Sequence, residues 1–175
     1  MWHDQLAAPV GPGKTVAMSG GFSIQIFLSS DDETDRLGRT IAPCLRPGDS
    51  LLLAGPVGAG KSHLSRAIIR ARLGRMEDVP SPTFTLVQTY EDAAGDLWHA
   101  DLYRLSGPDD LVELGLEDAF QSAICLVEWP ERLGPAVPED PILITLSPAG
   151  EGRSAMIAFR NRADLQAALK GFAHE

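Results

Sequence analysis

Apolar residues fall along this chain in short runs and at helical spacing, and the two patterns divide it into strands and helices. Ser23-Ile24-Gln25-Ile26-Phe27-Leu28 predicts the first strand. The polar cluster Ser29-Ser30-Asp31-Asp32-Glu33 then opens a helix to about Cys44. Pro47-Gly48-Asp49 turns the chain into Ser50-Leu51-Leu52-Leu53-Ala54, a short apolar run of strand type. From His63 to Leu73 apolar residues recur at helical spacing, and Gly74 has the place of a C′ glycine. Two β-rich segments follow, Thr83 to Tyr90 and Leu97 to about Asp101, and Asp92-Ala93-Ala94-Gly95 between them predicts a hairpin. Residues 106–121 read as short helical turns with acidic side chains. Ala123-Ile124-Cys125-Leu126-Val127 is a continuous apolar run of the kind buried in the middle of a sheet. A second hairpin is predicted for Ile142–Leu146 and Ala155–Phe159, turning through Pro148 to Gly152, and a last helix for about Arg162 to Phe172.

Between the second strand and the helix after it stands Gly55-Pro56-Val57-Gly58-Ala59-Gly60-Lys61-Ser62. It satisfies G-x-x-x-x-G-K-[ST] at every fixed position, in the strand–loop–helix context that the motif requires. Glycines at 55, 58 and 60 let the backbone curl into a nest of N–H donors without Cβ clashes. The following helix adds unpaired N–H groups and partial positive charge, so polyphosphate is the expected ligand. Lys61 is expected to reach the β- and γ-phosphates, and the Ser62 hydroxyl to take a place on Mg²⁺. Gly11-Pro12-Gly13-Lys14-Thr15 ends in Gly-Lys-Thr, which also fits G-K-[ST], but Ala8 stands where that motif needs glycine and no apolar strand precedes it.

About seven strands and three or four helices around this loop predict an α/β fold: a P-loop NTPase-like three-layer domain. The two hairpins make its sheet mixed, unlike the mostly parallel sheets of small-molecule kinases. Residues 1–20, rich in Gly, Pro and small residues without periodicity, read as a flexible extension in which Met18 could be the true start. Residues 21–175 are expected to form the P-loop domain.

Composition narrows the partners. Hydrophobic residues make up 44% of the 175, enough for one domain with a real core. No apolar run approaches a membrane span, and the signal-peptide pattern is missing at the N-terminus, so a cytoplasmic protein is expected. Cys44 and Cys125 lack metal-ligand spacing and read as free thiols in a reducing compartment. The net charge of −9 argues against a protein that grips nucleic acid alone through phosphate contacts. Three lysines stand against twelve arginines, and one of the three is in the loop.

Three further segments carry chemistry. In Val127-Glu128-Trp129-Pro130-Glu131, Glu128 ends a buried strand where an NTPase places a second Mg²⁺ contact or a water-orienting carboxylate. Trp129 either covers a base or ribose or packs the sheet edge. In His99-Ala100-Asp101-Leu102-Tyr103-Arg104-Leu105, Asp101 is a candidate for positioning Mg²⁺-bound water or a switch residue. Arg104 is a salt-bridge partner rather than an arginine finger. Ser81-Pro82-Thr83-Phe84-Thr85 is either a γ-phosphate-sensing switch, through Thr83 or Thr85, or an ordinary strand start. His63, on the first turn after the loop, is incidental on its own.

Taken in chain order, Gly55–Ser62, Ser81–Val87, His99–Leu105 and Ile124–Pro130 resemble the TsaE (YjeE) family of P-loop ATPases, which act in making threonylcarbamoyladenosine beside the anticodon of tRNAs reading codons that begin with A. The resemblance spans about residues 23–160. It implies ATP phosphates on Gly55 and on Gly58, Ala59, Gly60, Lys61 and Ser62, with His63 in the adjoining position. It implies Mg²⁺ on Ser62 and Glu128, catalytic weight on Lys61, Asp101 and Glu128, a switch role for Thr83, and Trp129 near the nucleotide. Thr34 near the adenine is a looser match. The family usually carries Asp at Pro56 and Thr-Thr at Ser62-His63; Ser keeps the metal-binding hydroxyl. Family members are poor ATPases alone and act with TsaB and TsaD proteins, of which TsaD performs transfer to tRNA. This chain would then contact tRNA indirectly, through the complex, and use ATP to reset it.

Two other classes compete with a partner-gated ATPase. A small-molecule kinase on the same loop would need an arginine-rich lid, and only Arg66, Arg70, Arg72 and Arg75 cluster, along and just past one helix. A nucleotide-sensing adaptor would bind ATP or ADP without useful hydrolysis.

Overall fold

Strands supply the frame in the computed structural model, which describes residues 21–174. The extension read over residues 1–20, with its Gly-Lys-Thr tripeptide and Met18, lies outside the described residues. The strands are β1 (Phe22–Leu28), β2 (Ser50–Ala54), β3 (Val87–Asp92), β4 (Gly95–Asp101), β5 (Ile124–Glu128), β6 (Ile142–Ala149) and β7 (Gly152–Phe159). They form one sheet in the order β1-β7-β6-β2-β5-β4-β3. Its centre, β6-β2-β5-β4, is parallel. The flanking pairs β1–β7, β7–β6 and β4–β3 are antiparallel. The sheet is therefore mixed, as the two hairpins require.

The central strands are apolar on both faces because helices cover both. Leu51 and Leu53 of β2, with Ile124 and Leu126 of β5, meet α1 (Asp31–Ile41), α2 (Lys61–Leu73) and α5 (Ala163–His174). Leu52, Cys125 and Val127 point the other way, toward α3 (Pro108–Leu114) and α4 (Leu116–Ser122). That makes three layers. The helical stretch at 106–121 divides in two because Gly115 takes φ 75° between α3 and α4. α1 starts where expected, with Ser30 Oγ accepting from the Glu33 N–H at 3.3 Å. It crosses α2 so closely that a Cβ on Gly38 would lie 2.5 Å from that of Ala67.

Two strand boundaries differ from expectation. The strand predicted from Thr83 begins only at Val87, because Pro82 O accepts from the Leu86 N–H at 2.8 Å and closes a turn with Leu86 at φ 65°. The β6–β7 hairpin is longer than predicted, since its turn tightens to Gly150-Glu151 and pairing runs on to Ala149 and Gly152. Both cysteines are free. Burial pushes the Cys125 thiol up to about 12, so it is inert as a nucleophile.

Arg162, just before α5, ties that helix to the turn entering β2. Its guanidinium donates to Asp49, Asp164 and the Cys44 carbonyl. The hydrogen bond from Arg162 holds the Asp164 carboxyl at about 2, against an ordinary 3.8. A carboxyl lowered on folding adds stability above its unfolded value and loses it as pH falls through the folded one. The stability gap between the wild type and Asp164→Asn should thus be widest above pH 3.8 and close toward pH 2. Urea denaturation across that window checks it.

Candidate nucleotide site

The loop after β2 lies at the carboxyl ends of the parallel strands, where open α/β sheets bind ligands. Gly55, Gly58 and Gly60 hold φ of 139°, 78° and 102°, values that L side chains rarely adopt. Gly55 is also sterically closed, since a Cβ there would fall 2.2 Å from the Leu146 carbonyl oxygen. Gly55→Ala should cost about 1–3 kcal/mol from backbone strain alone. Its denaturant midpoint should fall, with ATP affinity falling beside it. Gly58 sits exposed at the loop's apex with open space where a Cβ would be. Buried Ala59 donates its N–H to Pro56 O at 3.2 Å and anchors the loop to the core. Gly60 caps α2, whose first residues Lys61, Ser62 and His63 carry the N–H groups a helix leaves unpaired.

Lys61 is almost fully buried, and its Nζ donates to Gly55 O at 2.6 Å and Pro56 O at 2.7 Å. Pro56 thus contributes its carbonyl, which its ring leaves free. The same ammonium lies 4.1 Å from the centre of the Trp129 ring. Burial draws the Lys61 amine below its ordinary value, while Glu128, Glu131 and Asp101 pull it back up.

Glu128 ends β5 directly beside β2, opposite Leu53 on one side and Asp101 of β4 on the other. Ser62 Oγ donates to Glu128 Oε1 at 2.7 Å across 66 residues of sequence. The loop hydroxyl and the strand-end carboxylate are therefore in contact. Both are hard oxygen donors, which suits Mg²⁺. Among the described residues no group of three or more His, Cys, Asp or Glu forms a metal cage. A Mg²⁺ held by one hydroxyl and one carboxylate needs phosphate oxygens and water to complete its shell, and this donor set fits a nucleotide-bound ion. Asp101 is buried and accepts the Tyr103 N–H at 3.1 Å. Burial lifts its carboxyl above the usual range; the Tyr103 N–H opposes that and the charge of Glu128 adds to it.

Trp129 takes the left-handed conformation (φ 60°), which aims its ring across Lys61 and against Tyr103, with ring centres 4.8 Å apart. It packs on the second core cluster as well, so it belongs both to the sheet's packing and to the loop's surroundings. The other candidates stand further off. Thr34 is fully buried on α1, with its hydroxyl donating to Ser30 O at 3.3 Å, and offers no surface in this conformation. His63 turns away to Asp35 Oδ1 at 2.8 Å. Thr83 bonds with Ser81 at 3.2 Å inside its own turn. That turn touches the site through its backbone, as Leu86 O accepts the Asp101 N–H at 2.8 Å. Arg104 lies over the exposed Phe84 ring, 5.0 Å from its centre, instead of in the salt bridge expected for it.

Two residues of the site were not legible as such. His99 is fully buried, with Nε2 2.6 Å from Glu128 Oε2. Arg153, at the start of β7, donates to Asp31 at 2.9 Å, and its Nη1 is buried without a partner among the described residues. That nitrogen lies so near the loop that a Cβ on Gly60 would meet it at 2.2 Å. Spacing of two residues from Asp101 was a signal for His99; Arg153 had none, because only the β1–β7–β6 pairing carries it to the loop.

Fold and site together define a P-loop NTPase-like α/β protein with a mixed seven-stranded sheet. The family described as "Threonylcarbamoyl adenosine biosynthesis protein TsaE" matches residues 28–155. The chain belongs to the TsaE family. It is 41% identical over 106 residues to the tRNA threonylcarbamoyladenosine biosynthesis protein TsaE of Rickettsia felis, a match covering 61% of this chain and 62% of that one. Its counterpart in Bacillus subtilis is 35% identical over 121 residues, 69% of this chain and 75% of the relative. Thus the chain spans somewhat under two thirds of the Rickettsia felis relative. Among solved structures, Bacillus subtilis YdiB superposes with a TM-score of 0.70 at 25% identity, covering 87% of this chain and 95% of that one. Among the described residues no helix is long and apolar enough to cross a membrane.

Proposed function

We propose that this chain is an Mg²⁺-dependent ATP-binding protein and weak ATPase of the cytoplasm. It serves threonylcarbamoyl modification of the adenosine next to the anticodon in tRNAs reading codons that begin with A. Its partners are a TsaD-like transferase and a TsaB-like protein, and it resets their complex without forming the bond on the base. Membership of the TsaE family supports the pathway. The net charge of −9 supports indirect contact with tRNA, because an acidic protein gains little from phosphate backbones.

The observation that carries the ATPase reading is the 2.7 Å contact between Ser62 and Glu128 at the mouth of the loop. In this reading the N–H groups of Gly58, Gly60, Lys61 and Ser62 bind the phosphates, that of Ala59 being engaged by Pro56 O, and Lys61 neutralises charge on the β- and γ-groups. Bound Mg²⁺ supplies charge stabilisation, held by Ser62 and Glu128. Asp101, beside Glu128 in the sheet, accepts a hydrogen bond from the attacking water and orients it. Trp129 shields the Lys61 end of the site from solvent. Thr83 senses the γ-phosphate through the turn that holds Asp101. Thr34 and His63 lie at the margin, on or against α1.

The test is Mg²⁺-dependent ATP hydrolysis by the chain alone and with its TsaB and TsaD counterparts, with Lys61→Ala as control. Low turnover that rises with the partners and vanishes in the variant is expected. Turnover indifferent to the partners would reject the resetting role and direct attention to small-molecule phosphate acceptors.

A further inference from the structure

His99 is a fully buried imidazole on a face of the sheet that is apolar along β4 and β5 until their last residues, with Gln88 of β3 opposite it. Period two along β4 puts Leu97, His99 and Asp101 on that face, and along β5 Ile124, Leu126 and Glu128. The parallel register sets His99 opposite Leu126, one step behind Glu128. Its Nε2 is 2.6 Å from Glu128 Oε2, and its Nδ1 has no partner among the described residues. A carboxylate only accepts, so Nε2 carries the hydrogen and donates it.

A leucine here would extend the apolar face without desolvating a polar group, and a buried pair of this kind is weak evidence for stability. What the pair supplies is geometry. The terminal torsion of glutamate is broad and unhindered, so the plane of its carboxylate is set from outside. Ser62 engages Oε1 from the loop and His99 engages Oε2 from inside the sheet.

We propose that His99 is a positioning residue, which by donating Nε2–H to Glu128 Oε2 fixes the carboxylate plane and keeps Oε1 presented to Ser62 and to the cation those two oxygens hold. The inference rests on Glu128 being the cation's carboxylate. Partners of this kind, one bond removed from a metal, commonly change metal affinity 10- to 100-fold when removed.

The test is binding of N-methylanthraniloyl-ADP to the full chain, by fluorescence, at stepped Mg²⁺ concentrations. The Mg²⁺ concentration for half-maximal gain in affinity should rise about 10- to 100-fold in His99→Leu. Affinity without Mg²⁺ should stay within roughly twofold, since the loop donors are untouched. His99→Gln, whose amide can donate from about the place of Nε2, should recover most of the loss; His99→Asn, too short to reach, should not. His99→Leu with the wild-type Mg²⁺ dependence would overturn the inference. Should that variant fail to fold, Gln and Asn variants with the same Mg²⁺ dependence would overturn it equally. Wild-type protein that binds ADP alike with and without Mg²⁺ would instead remove the cation from Ser62 and Glu128, and this inference with it.

Discussion

Lys61→Ala should lower ATP affinity about 10- to 150-fold, the equivalent of a charge-assisted contact of roughly 1.5–3 kcal/mol. The ammonium is already fixed where phosphate would meet it. Two loop carbonyls hold it at 2.6 and 2.7 Å, and the Trp129 ring closes one side. Little side-chain entropy is left to lose on binding, so most of the attraction should appear as affinity. Removing the side chain also leaves the carboxylates of Glu128, Glu131 and Asp101 without the cation that faces them. Their repulsion toward a polyphosphate then adds to the loss. The fold should survive, because the carbonyls released belong to half-exposed Gly55 and exposed Pro56, which water can reach. Calorimetric titration with ATP decides it, and unchanged affinity would take the loop out of nucleotide binding.

Glu128→Gln should lower partner-stimulated ATP turnover about 10²- to 10³-fold, the scale for removing one preorganised polar group from a transition state. The amide keeps the size of the side chain and can still accept from His99 and engage Ser62, so ATP affinity should move less than about tenfold. Glu128→Ala should give the same loss of turnover with an added loss of stability. It leaves the buried His99 Nε2–H without an acceptor, worth about 1–3 kcal/mol. Single-turnover hydrolysis together with urea denaturation separates the two effects. A Gln variant that hydrolyses at the wild-type rate would remove Glu128 from the mechanism.

Much of this site was legible from residues 50–62 alone. A run of leucines, three glycines and Gly-Lys-Ser specify strand, turn and helix through local backbone preferences, and β2, the loop and α2 follow them closely. The apolar run before Glu128 likewise identified β5 as a central strand, because only a strand covered on both faces needs no polar alternation. Legibility failed where local preference met a tertiary constraint. Thr83–Leu86 has the composition of a strand yet closes a turn, because Pro82 cannot donate to a ladder and its carbonyl captures Leu86. Thr34 is fully buried on α1 with its hydroxyl bonded to Ser30 O, a burial that the polar start of that helix does not announce.

By itself, then, the sequence determined most of the elements, the mixed character of the sheet and the glycine loop between β2 and α2, all of which depend on neighbours within a few residues. Tertiary structure alone decided which distant groups meet. Strand order sets Glu128 beside the loop strand, the β4–β5 register brings His99 under it, and the return of β7 delivers Arg153 to Gly60. The reason is physical: a side chain's periodicity reveals which face it occupies, while its partner across the sheet is set by how strands of widely separated sequence pack to bury the core.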